Sequence, residues 1–243
     1  MRSAGSAGVV CQVMFGALPG RARSVVQQLF GLKFVNRLCT RASLGAAWVA
    51  MTTNMIDSIH ATCHNIPTGT RKVAGYATGT AAIRWRRADW DRFNRRHTGL
   101  VRIDQSFGGR DPLASDVLDV ETGAATPRQV AHWVRTRHAA GKRFSDVYSN
   151  RSTFPAIAAA LNAAGPQAMF HRHVRLWLAD WSLSRAHAAR LLGTRLAGHK
   201  IVAVQWASPL SNPDTPLPRS SLTLRQANCD LSVTLDYWHR HRR

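Results

Sequence analysis

From residue 55 onward, short apolar runs alternate with stretches of helical spacing. The runs are rich in β-branched residues and bounded by Gly, Pro, Asn or Ser, the signature of short strands. They fall at 55–61, 72–77, 100–105, 116–121, 144–149, 174–179, 201–206 and 229–234. The intervals between several of them predict helices. Thr126 can cap a helix with Pro127 at its first position, Val130, Trp133 and Val134 as its apolar stripe and Gly141 as its end. A second is expected from about Pro155 to Ala164, behind Ser152 or Thr153 and ahead of Gly165. A third follows Ser184 through Ala188 and Leu191 to Gly193, and a short fourth covers Leu224–Ala227. Arg87–Phe93 carries a weak helical pattern.

Alternating strands and helices predict an α/β fold with a parallel sheet and right-handed crossovers. Eight strands suit a single (β/α)8 TIM-barrel-like domain, and a doubly wound open sheet is the alternative. No Gly-x-Gly-x-x-Gly or Walker loop marks a nucleotide site, and no cofactor is expected. Residues 1–50 contain no Asp or Glu and do not share this rhythm. They read as an N-terminal extension, either a targeting segment or a start called too early, with Met51 or Met55 as the natural first residue. The organised domain is then 51–243.

Charge narrows the classes. The chain has 33 Lys+Arg against 13 Asp+Glu in 243 residues, a formal charge of +20. Only Lys33, Lys72, Lys142 and Lys200 are lysines. Such a balance permits an anionic partner: nucleic acid, a cell-wall polymer or acidic lipid. The arginines are scattered, with small clusters at Arg84/Arg86/Arg87, Arg92/Arg95/Arg96 and the tail, and no nucleic-acid motif accompanies them. Nucleic-acid binding is therefore kept as a rival rather than favoured. No apolar run reaches the roughly 18 residues of a membrane span. Cys11, Cys39, Cys63 and Cys229 include no Cys-x-x-Cys pair. His60, Cys63 and His64 sit close together, as do His171 and His173, but a metal site needs convergent ligands and a carboxylate in support. No metal is expected from spacing alone.

The chemistry suggested by the sequence lies in its acids. Asp119-Val120-Glu121 closes the fourth run, and residues two apart on a strand project to one face. A carboxylate pair is what glycoside hydrolysis requires, one group to protonate the leaving oxygen and one charge to support the cationic centre or the attack. The competing reading is a strand-end Asp capping the next helix beside a solvated Glu. In a barrel, catalytic side chains come from the C-terminal strand ends. Here those ends supply Asp57, Tyr76, Asp104, Asp119 with Glu121, Tyr148, Asp180, Gln205 and Asp230. Trp181, just past a strand end, offers an apolar plane to a sugar face. Trp177, in mid-strand, reads as core.

Residues 55–238 resemble the family 25 glycoside hydrolases, the lysozyme-type barrels that cut peptidoglycan, in a divergent branch. The strings are Ile56-Asp57-Ser58, Asp119-Val120-Glu121, Val147-Tyr148-Ser149, Leu176-Trp177-Leu178-Ala179, Val204-Gln205-Trp206 and Asp230-Leu231. Met55-Ile56 stands where the family carries a glycine before the first-strand Asp. The resemblance implies Glu121 as general acid and Asp119 as the base or the group positioning the substrate's acetamido. Asp57 and Asp230 would be supporting carboxylates. Asp104, Tyr148, Asp180, Trp181 and Gln205 are the expected substrate contacts. The implied substrate is a β-1,4-linked amino-sugar polymer, peptidoglycan, cut by a monomer outside the cell or in its wall. Two other readings stand beside it: a barrel that binds glycan or protein without turnover, and the Arg-rich nucleic-acid binder.

Overall fold

Each of the eight apolar runs is a strand, and together they close a ring. The computed structural model describes residues 52–94, 98–105 and 113–239, without the side chains of 167 and 168. The expected extension 1–50, Cys11, Cys39, Arg95, Arg96 and the tail beyond His239 lie outside the described residues. The strands are β1 Thr52–Ser58, β2 Lys72–Tyr76, β3 Gly99–Asp104, β4 Val117–Asp119, β5 Ser145–Asn150, β6 Val174–Ala179, β7 Arg195–Leu196, β8 His199–Ala207 and β9 Asp230–Leu235. The helices are α1 Arg87–Phe93, α2 Pro127–Ala139, α3 Phe154–Ala164, α4 Gln167–His173, α5 Arg185–Leu191 and α6 Leu224–Ala227, with a 3-10 helix at His60–Asn65.

The pairing runs from β1 in order to β6; β6 then pairs with β8, β8 with β9, and β9 with β1. This is a closed eight-stranded α/β barrel, with β7 added outside as a hairpin arm. Closure excludes the open doubly wound sheet. One expectation is corrected: the sheet is mixed, because β9 runs antiparallel to both β1 and β8. The reason is in the connection. β8 ends at the barrel mouth, and the interval 208–229 holds only the four-residue α6 among its prolines. A parallel crossover needs a dozen or more residues that carry the chain back to the far end. This segment stays at the mouth, so the next strand must start there.

Strand alternation sorts the side chains into layers. Met55, Ala74, Val101, Ile103, Val117, Trp177 and Ala203 fill the barrel interior. Leu118, Val147, Leu176, Leu178 and Val204 point outward, where Val130, Trp133 and Val134 of α2 and Ile157 and Leu161 of α3 cover them. Thr126 and Gln129 cap α2 reciprocally, and Pro127 at its start loses no hydrogen bond. A third apolar cluster lies outside β1, β2 and β9, where Cys63, Ile66, Trp85, Phe93 and Leu224 pack on Ile56, Val73 and Leu231. Cys229 is a buried free thiol there. Fully burying each large side chain contributes roughly 2–3 kcal/mol.

The far end of the barrel is plugged by ions rather than hydrocarbon. Arg175 grips Asp146 with two bonds of 2.6 and 2.7 Å, and Trp238 Nε1 and His239 Nε2 both reach Asp146 Oδ2 at 2.9 Å. Lys72 donates to Thr234 Oγ1 and to the carbonyls of Leu235 and Trp238. No helix among the described residues is long and apolar enough to cross a membrane.

Candidate active site

The interior parity that fills the barrel with Met55, Ala74 and Val117 carries Asp57, Tyr76 and Asp119 inward at the ends of β1, β2 and β4. Tyr148 and Gln205 join them from β5 and β8, in register with Asp119 and Ala179 respectively. Asp230 arrives from the opposite direction. It is the first residue of β9, not a strand end, and it sits opposite Asp57 in the antiparallel register. Directly opposed residues in such a pair lie about 5 Å apart at Cα. The reversal of β9 is thus what lets the eighth strand offer a carboxylate to the mouth.

Glu121 departs from the simple strand picture. β4 ends at Asp119, so Glu121 lies past the strand, in the bend before α2. The bend is tied down by Ala124 and Ala125, whose backbone N–H groups donate to the carbonyls of Glu121 and Asp119. Asp119 is fully buried, whereas Glu121 is half-buried. Glu121 is the chain's only glutamate.

These groups surround a cleft of about 610 Å³, walled by Asp57, Glu121, Asp230, Tyr76, Tyr148 and Trp181 and rimmed by Ser208, Pro209, Leu210 and Asn228. Trp177 forms part of its floor while remaining only 1% exposed, held by a bond from its Nε1 to Ser232 Oγ at 3.0 Å. Trp181 is 40% exposed and Leu210 96%, so the rim presents apolar surface to solvent. A hydrogen-bonded chain crosses the interior. Tyr148 Oη donates to Gln205 Oε1 at 2.5 Å, and Gln205 Nε2 donates to Asp57 Oδ2 at 3.2 Å. Tyr76 Oη donates to Asp119 Oδ2 at 3.3 Å. The second oxygens of Asp57 and Asp119 are buried with no protein partner.

The electrostatics follow from this geometry. Burial is the largest effect on all four carboxyls and disfavours their charged form. Asp119 is pushed up to about 8 by burial and then by Glu121, against the bond from Tyr76. Burial raises Glu121 as well. Asp57 and Asp230 are both raised, by burial first; Asp230, Asp119 and Glu121 add to the shift of Asp57, and Glu121 to that of Asp230. Burial and the repulsion of like charges both favour the protonated forms of these acids. Acids elsewhere behave in the opposite way. Burial is the largest single effect on Asp146 too, but Arg175 and His239 together outweigh it and keep the carboxyl far below the usual range. Asp180 is lowered too, by bonds from Ser182 and Arg151 that outweigh its desolvation.

Two expected contacts are placed elsewhere. Asp104 faces outward from β3, beside Leu118 in the register, and accepts a bond from Thr78 Oγ1 at 2.6 Å. Asp180 is bound by Arg151 at 2.7 Å and by Ser182, and neither it nor Asp104 is in the cleft wall. Asp57, Glu121, Tyr148, Trp181, Gln205 and Asp230 are brought together around the cleft. Asp119 is buried behind Tyr76, outside the wall itself. Sequence reasoning missed the rim at Ser208, Leu210 and Asn228. Asn228 stands at φ 49° as the left-handed end of α6, a role for which asparagine after a short capped helix is a fair signal.

The chain is similar to a muramidase from Acremonium alcalophilum, at 13% identity and a TM-score of 0.44 over 75% of this chain and 92% of that one. It is also similar to the spore cortex lytic enzyme SleM of Clostridium perfringens, at 11% identity and a TM-score of 0.47 over 76% of this chain and 68% of that one. No protein-family model matches the sequence, and no curated protein does.

Proposed function

We propose that this protein is a glycoside hydrolase that cleaves a β-1,4-linked amino-sugar polymer, with peptidoglycan as substrate. The observation that carries the reading is the gathering of Asp57, Asp119, Glu121 and Asp230 at one barrel mouth beside an aromatic-walled cleft. Acetal cleavage needs a protonated acid at the leaving oxygen and negative charge near the anomeric carbon. A mouth whose acids hold each other's protons supplies both at neutral pH.

In this reading Glu121 is the proton donor. It is the half-buried member of the set, in a bend rather than a strand, and it reaches the cleft. Asp57 in the cleft wall and Asp119 buried behind Tyr76 hold charge or proton beneath it. Tyr148 and Gln205 fix Asp57 in orientation. Trp181 stacks on a pyranose face. The resemblance of the strand strings to family 25 points to the same substrate. The strongly basic chain favours approach to an anionic wall.

Cosedimentation with insoluble peptidoglycan, run beside an assay of released sugar, tests the reading. The full chain is expected to bind and release sugar, and Glu121→Gln to bind equally and release none. Binding without release by the unaltered, folded protein would make it a glycan-binding barrel. A DNA shift that is steep in salt and unaffected by Glu121→Gln, with no glycan binding, would make it a nucleic-acid binder.

A further inference from the structure

The 3-10 helix that follows β1 carries His60 and Cys63 three positions apart. At three residues per turn, side chains at i and i+3 eclipse, so both project from one edge. Asp89, in the first turn of α1, meets that edge from another element. Its Oδ2 lies 2.6 Å from His60 Nδ1, and its Oδ1 accepts from Cys63 Sγ at 3.2 Å. The potential ligand atoms of the three residues all lie within 4.8 Å of one another. Two further contacts hold the arrangement: Arg86 N donates to Asp89 Oδ2 at 2.7 Å, and His60 N donates to Ile83 O at 2.9 Å. Cys63 is 3% exposed, while the side chains of His60 and Asp89 keep 22% and 15% of their surface, so the cluster is open to water on one side.

We propose that His60, Cys63 and Asp89 bind a thiophilic divalent cation, with Zn2+ the best match. One sulfur, one imidazole nitrogen and one carboxylate oxygen are a borderline-soft donor set, which suits Zn2+ over Ca2+ or Mg2+. Tetrahedral Zn2+ at about 2.0–2.3 Å from each ligand holds those ligands about 3.3–3.6 Å apart and leaves a fourth position for water. The two separations to Asp89, 2.6 and 3.2 Å, are shorter, because a hydrogen lies in each where the ion would sit. Entry of the metal exchanges these hydrogens. The Cys63 S–H proton leaves to solvent, and its sulfur electron pair forms the metal bond. His60 gives its Nδ1 proton to solvent, keeps or takes up a proton on Nε2 so that it stays neutral, and offers the freed Nδ1 lone pair to the ion. Thiolate and carboxylate then balance the two positive charges. The site lies just past the end of β1, which bears Asp57, and would clip the segment after that strand to α1.

The test is titration of the dialysed full chain with Co2+ as a spectroscopic stand-in, followed by absorption. A saturable one-equivalent signal with a thiolate-to-cobalt charge-transfer band is expected. Cys63→Ser should abolish that band, and His60→Ala or Asp89→Asn should weaken affinity at least about tenfold. Zn2+ should raise the melting temperature of the parent more than that of the variants at equal concentration. If Cys63→Ser does not fold, His60→Ala, at a side chain only partly buried, carries the comparison. Absence of a saturable signal from the folded parent overturns the proposal, as does a band that survives Cys63→Ser or His60→Ala unchanged.

Discussion

At the scale of single residues, the division is between acids with a cation beside them and acids with only one another. Asp146 has Arg175, Asp180 has Arg151 and Asp91 has Arg87. For the mouth acids, burial and mutual repulsion dominate. Glu121→Gln keeps the shape of the side chain and removes its proton chemistry. It should cut turnover by about 10²–10⁴-fold with an unchanged melting temperature, measured by sugar release and thermal unfolding. Asp119 should reveal itself in stability. Its ordinary value of 3.8 is raised to about 8 in the folded protein, so the native state binds the extra proton between those limits. The favourable contribution is full below 3.8 and is lost as pH rises through about 8. Melting temperature should therefore fall across that window, and Asp119→Asn should flatten the fall. Asp57, Asp119 and Gln205 were legible because strand parity and strand ends are sequence properties, whereas Glu121 reaches the cleft from the bend past β4. Asp104 and Asp180 were expected at the mouth on the same logic. Parity turns Asp104 outward, and Arg151, from another strand's loop, captures Asp180; no local pattern announces that capture.

At the scale of elements, the eight strands and five of the six helices follow from periodicity and capping, but the direction of β9 does not. Direction depends on where a connection goes, and the clue in 208–229 was an absence, the lack of a crossover helix. The short α4 was also missed, since seven residues behind Gly165-Pro166 give too little period to read. The β7–β8 hairpin turns through Ala197 and Gly198, both at positive φ, 46° and 88°. That two-residue turn suits Asn-Gly, and alanine pays a steric penalty in the left-handed region. Ala197→Asn should stabilise the protein by about 0.5–1 kcal/mol, read from denaturant midpoints. Gly198 has no such freedom, because an added Cβ would lie 2.3 Å from His171 Nδ1. Arg175→Met should do the reverse at the far end of the barrel. It leaves Asp146 buried without its bidentate partner and should cost about 3–5 kcal/mol in the same measurement.

At the scale of the molecule, a chain of formal charge +20 gathers Asp57, Glu121 and Asp230 around one cleft, with Asp119 buried behind it. In the proposed function a basic surface would draw in an anionic polymer, and the mouth would supply the proton needed to cut it. Attraction of this kind weakens as the screening length shrinks from about 10 Å at 0.1 M salt to about 3 Å at 1 M. Cosedimentation with anionic wall polymer should fall several-fold over that range. The barrel itself was readable from the strand rhythm; the mixed sheet and the convergence of Asp89 on His60 and Cys63 were not, because both are made by the closed fold. The most direct test of the central claim is to incubate the full chain with purified peptidoglycan, reduce the products with borohydride and identify new reducing ends by mass spectrometry. New amino-sugar ends from the parent, absent with Glu121→Gln, are the predicted result. No new ends from well-folded parent, or equal numbers from both proteins, would contradict it.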